Sequence, residues 1–124
     1  MVLAYSQHFS VNDAQRLIPW VEERLARLQH LMVALRKGVR ELTGITDHLL
    51  PESFPPELFQ LLGLMRAFEE RGLVLRDPGA GVVHFPHLLP SGDEVVLCYL
   101  RGEGSPKFYH LPESPFCHRK PLTA

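Results

Sequence analysis

The sequence predicts an α+β domain in which a long N-terminal helix and a shorter helix pack on one face of a four-stranded antiparallel β-meander. Three observations predict it. Apolar residues recur at steps of four and three along the first third of the chain, a second helical stripe follows a proline-rich connection, and after Gly72 the period shortens to two with turn residues between the runs. Helices first and strands afterwards is the order of an α+β unit. The 124 residues suit one domain over 1–124, with a helical hairpin over 10–71 and a sheet with a C-terminal tail over 72–124.

Ser10 followed by Asp13 has the form of a capping box, so the first helix is expected to start there. Its apolar stripe reads Ala14, Ile18, Val21, Leu25, Leu28, Met32, Leu35, Val39 and Leu42, a heptad pattern of the coiled-coil kind. Pro19 removes a backbone donor inside that stripe, which predicts a kink or a restarted turn around Ile18 to Trp20. An end near Thr43 follows from Gly44, a natural C-terminal cap. Pro51, Pro55 and Pro56 then make a connection, and Pro56 opens a second helix whose stripe is Leu58, Leu61, Leu62, Met65 and Phe68, ending at Gly72.

The strand-like runs are LVLRD, GVVHF, EVVLCYLR and KFYHL, separated by the turns DPGA, SGD and GEGSP. In the third run Val95, Leu97 and Tyr99 point one way and Val96, Cys98 and Leu100 the other, so both faces are apolar. Such a strand is expected to be covered on both sides, by the helices on one and by the C-terminal segment or a second subunit on the other.

Composition removes several classes of function. Apolar residues at 45% and charged residues at 22% are ordinary for a globular chain, and no apolar run approaches the roughly 20 residues that span a bilayer. MVLAYSQHFS has neither the basic start nor the apolar centre of a secretory signal, so a cytoplasmic setting without membrane association is expected. A reducing compartment keeps Cys98 and Cys117 as thiols. With a net charge of −1 and basic residues interleaved with acidic ones, nucleic-acid binding has no footprint. The first helix, on the order of 45 to 50 Å long, is about twice the second, which predicts that part of its stripe meets the sheet or a second copy in a homodimer.

The chain also resembles a bacterial family catalogued as a domain of unknown function, number 2203. The residues that carry the likeness are Phe9, Ser10, Ala14, Leu17 and Pro19; Gly81, Val83, Phe85 and Pro86; Leu97, Cys98, Gly102 and Glu103; His110; and Phe116, Arg119, Pro121 and Leu122. His84 stands where the family pattern has aspartate, Tyr99 and Tyr109 replace tryptophans, and Pro115, Cys117 and His118 replace small residues. The resemblance implies a domain in a bacterial cytosolic setting and no assigned activity.

Chemistry-bearing residues concentrate between Gly81 and Pro121, with four of the seven histidines and both cysteines. One reading is a transition-metal site formed by His84, His110, Cys117 and His118, with His87 nearby in sequence and zinc as the candidate cofactor, since imidazole and thiolate suit zinc, nickel and copper. No short metal-binding spacing occurs, so the fold would have to bring these ligands together. The other is a polar pocket of Glu103, His110, Glu113 and Arg119, in which the arginine would clamp a small anion. Cys98, between apolar neighbours, reads as inert packing. The expected function is accordingly a dimeric, non-enzymatic binding or assembly module, with a metal-binding protein or metal-dependent hydrolase as the alternative.

Overall fold

The computed structural model describes residues 3–41 and 54–122. The expected helix end at Thr43, the Gly44 cap and the turn at Pro51 lie outside the described residues. Helix α1, Val11–Glu41, begins as its sequence dictates: the Asp13 amide donates to Ser10 Oγ at 3.0 Å, satisfying one of the unpaired donors of the first turn. Ala14, Ile18, Val21, Leu25 and Leu28 are buried, and past them Leu31 is buried while Met32 packs at the edge of the core. This stretch of the stripe is covered by the chain's own second helix and sheet. The helix runs through Pro19 as one element, in place of the expected restart. Gln15, whose carbonyl loses its donor to the proline ring, lies with Pro19 on the exposed face, where water can take over that bond.

Helix α2, Pro56–Glu70, has its proline in the first turn and ends in a Schellman motif. Gly72, at φ 79°, donates to Glu69 O at 2.9 Å, and Leu73 donates to Phe68 O at 3.0 Å. Its inward stripe is Leu61, Leu64 and Phe68, so the expected inward positions Leu62 and Met65 are instead exposed. Apolar side chains surround much of this helix and permit two registers. Phe68, common to both, stacks edge-on against Trp20 at 5.0 Å.

The sheet is an antiparallel meander of β1 (Val74–Asp77), β2 (Val82–Leu88), β3 (Glu94–Leu100), β4 (Phe108–His110) and β5 (Lys120–Pro121), in that spatial order. The fifth strand, expected as part of a tail, pairs Tyr109 with Lys120 and Phe108 with Pro121. It is two residues long and contains a proline, which is why no strand period announces it. Pro86 sits inside β2 without breaking the β2–β3 ladder. Its carbonyl accepts from the Phe9 amide at 2.7 Å, so its missing donor faces the N-terminal segment and not β3.

Val83, Phe85, Leu97 and Tyr99 face the helices and complete the core. One polar tie crosses that layer: Tyr99 Oη donates to Glu22 Oε1 and accepts from the Gly104 amide at 3.1 Å, while the Gly102 amide reaches the same carboxylate at 2.8 Å. Burial, then the bond to Glu22, pushes the Tyr99 hydroxyl up to about 12, so it stays a donor at any working pH. Tyr99→Phe should therefore lower unfolding free energy by about 1–3 kcal/mol in urea, because Glu22 and Gly104 lose a partner. An unchanged midpoint would show that the tie contributes nothing.

Candidate metal centre

A strand turns successive side chains to opposite faces, and the hairpin register decides which of them meet across it. In β2 and β3 the register sets His84 opposite Cys98, flanked by Val82 opposite Leu100 and Pro86 opposite Val96. The β3–β4 register sets Val96 opposite His110, which places that imidazole on the same face, diagonal to Cys98. This face is turned away from the helices. The segment after β4 covers it, with Ser114, Pro115 and Phe116 lining a hollow of about 560 Å³ together with Arg76, Val82 and His84.

His84, Cys98 and His110 each offer a donor atom, and the three atoms lie within 4.8 Å of one another. Their side chains are nearly inaccessible, at 3%, 0% and 2% exposure. The two rings meet edge to face, 4.7 Å between centroids. His110 Nδ1 donates to Leu111 O at 2.6 Å, which orients the ring and sets the tautomer of the neutral imidazole with its lone pair on Nε2. Nε2 of His110 and Nε2 of His84 are both buried without a hydrogen-bond partner among the described residues. Leaving such an atom unsatisfied costs about 1–3 kcal/mol, and two of them stand beside one thiol.

Electrostatics keep the His84 and Cys98 side chains uncharged. Burial, the neighbouring His110 and Arg76 push the His84 imidazole down to about 4. Burial pushes the Cys98 thiol up to about 11, opposed by the nearby Arg119 guanidinium. Arg119 is itself clamped: it donates to Glu103 at 2.9 and 3.1 Å and lies over the rings of Phe108 and Phe116 at 4.1 and 4.0 Å. Glu103 also accepts from the Leu100 amide at 2.6 Å, tying the β3–β4 turn to the covering segment.

The structure thus brings His84 and His110 together. It places His118 exposed in a short 3-10 turn, Phe116–His118, while the side chain of Cys117 in that turn lies outside what is described. His87 is occupied elsewhere, donating from Nδ1 to Phe9 O at 2.6 Å. Of the anion-pocket residues, Glu103 and Arg119 pair with each other, His110 joins the cluster, and Glu113 lines a different hollow with Glu94 and Lys120. Cys98 is the residue that sequence reasoning set aside. Counting outward from the SGD turn, with Leu88 opposite Glu94, would have aligned it with His84.

Among the described residues no helix is long and apolar enough to cross a membrane. A family model described as "Uncharacterized conserved protein (DUF2203)" matches residues 7–122, a span that contains the whole cluster. No curated protein and no solved structure matches the chain.

A histidine kept neutral by folding takes up a proton on unfolding between pH 6.5 and about 4. Metal-free protein should therefore lose stability as pH falls through that window, by an amount on the order of 3 kcal/mol, with no contribution from His84 above it. Urea unfolding across the window should show this slope in the wild type and a flatter one in His84→Gln. Equal slopes would place the proton uptake elsewhere.

Proposed function

The chain belongs to the family described as uncharacterized conserved protein (DUF2203), a description that assigns no activity, and we propose that it is a transition-metal-binding protein centred on His84, Cys98 and His110. The observation that carries this reading is the pair of buried, unpartnered imidazole nitrogens beside a buried thiol. A metal ion converts both unsatisfied atoms into ligands and the thiol into a thiolate, releasing its proton to solvent. The size is suitable. Three donors within 4.8 Å of one another put the centre of their triangle at most about 2.8 Å from each, and a contraction of roughly half an ångström reaches the metal–nitrogen and metal–sulfur lengths of about 2.0–2.3 Å. The Leu111 carbonyl on His110 Nδ1 is the outer-shell partner that such ligands ordinarily have.

Elemental analysis of tag-free protein, loaded with metal and desalted, should find about one zinc, nickel or copper per chain. His84→Ala and Cys98→Ala should each abolish retention, and His118→Ala should leave it unchanged. Retention that survives both cluster variants would overturn the assignment.

A second reading concerns assembly. Phe59, Leu62 and Met65 follow one another at steps of three along the outer side of α2, at 55%, 51% and 40% exposure. We propose that this strip is where a second copy packs, since an apolar row of this kind gains from leaving water. Light scattering should give twice the 14.1 kDa chain mass, and Leu62→Glu should reduce it to the single-chain value. A wild-type monomer at all concentrations would remove this reading.

A further inference from the structure

We infer that the centre is built for copper(I): a monovalent, thiolate-preferring ion held in a three-coordinate site by His84, Cys98 and His110. The inference rests on the metal-site reading above and adds the identity of the ion.

Charge is the first argument. One thiolate exactly offsets one positive charge, so copper(I) bound by Cys98 and two neutral imidazoles leaves a buried centre with no net charge. Zinc in the same ligands leaves one uncompensated charge where all three side chains are at most 3% exposed. The carboxylates near the centre among the described residues are already engaged. Glu103 is already paired with Arg119 at 2.9 Å, Asp77, which lines the hollow beside His84, accepts from the Ala80 amide at 3.2 Å, and Arg76 acts on His84 as a cation.

Coordination number and ligand softness point the same way. Zinc completes four ligands, with a water where the protein supplies only three, and the cluster among the described residues holds three donors that are at most 3% exposed. The same sheet face offers Val82, Pro86, Val96 and Leu100 around them, none with a side-chain donor. Thiolate is the ligand that selects copper(I), and imidazole suits copper as well. On binding, the Cu–S bond forms as the thiol proton leaves to solvent, and no electron is transferred.

Metal-free, tag-free full-length protein should be titrated anaerobically with copper(I) against a chromophoric copper(I) chelator, and with zinc(II) against a chromophoric zinc chelator. Wild type, Cys98→Ser and Cys117→Ser are compared. The expected result is about one copper(I) per chain, zinc bound at least a thousandfold more weakly, as roughly one unbalanced buried charge implies. Cys98→Ser should weaken copper by more than about 100-fold, beyond the loss of an outer-shell partner, and Cys117→Ser should change neither metal. Zinc binding that rivals copper, or that falls in Cys117→Ser, would reveal a four-coordinate zinc site and overturn the copper assignment while keeping the centre. Failure to bind either metal would overturn the centre itself.

Discussion

His84 and Cys98 face one another because the turn after β2 closes Leu88 onto Glu94, with the Leu89 amide donating to Asp93 O at 2.9 Å. Every second residue inward from that closure lands on the same face, and a register slip of one would turn one of the two side chains into the apolar layer under the helices and part it from the other. The core depends on the same alignment. Phe85 opposite Leu97 and Val83 opposite Tyr99 form the surface on which α1 and α2 rest, so packing of the helices and assembly of the cluster are two consequences of one hairpin.

The far face is closed by a short segment with little secondary structure, and polar and aromatic contacts substitute for a helix there. Arg119 reaches Glu103 and the Cys98 carbonyl, at 3.4 Å for the latter, and stacks between Phe108 and Phe116. β5 then fastens the segment to β4, and the Leu122 amide adds a bond to Lys107 O at 2.7 Å. Together these contacts bury a face that would otherwise present three polar side chains to water. Burial without hydrogen-bond partners is unfavourable for stability alone, and a local rule broken in this way is characteristic of a site kept for its chemistry.

Much of the architecture was legible in the residues. The Ser10 cap, the stripe from Ala14 to Leu28, the opening of α2 at Pro56, its end at Gly72 and the four longer strands follow from periodicity and turn chemistry. Two details did not. The face of α2, with Leu64 buried and Leu62 and Met65 exposed, is a matter of tertiary packing, and β5 is too short to carry a period. For the centre, His84 and His110 stood out as ligand types, but Cys98 looked like packing because its sequence neighbours are apolar. Those neighbours point to the opposite face or lie along the strand, and only the cross-strand register discloses that a histidine lies opposite. Cys117 and His118 attracted attention by being adjacent in sequence, which says nothing about convergence in space.

The most direct test of the account is crystallographic: anomalous difference density, recorded at the absorption edge of the bound metal, from crystals of loaded protein. The account requires one strong peak at bonding distance from His84, Cys98 and His110 together. Density confined to exposed imidazoles such as His118, with nothing between the three buried side chains, would contradict it.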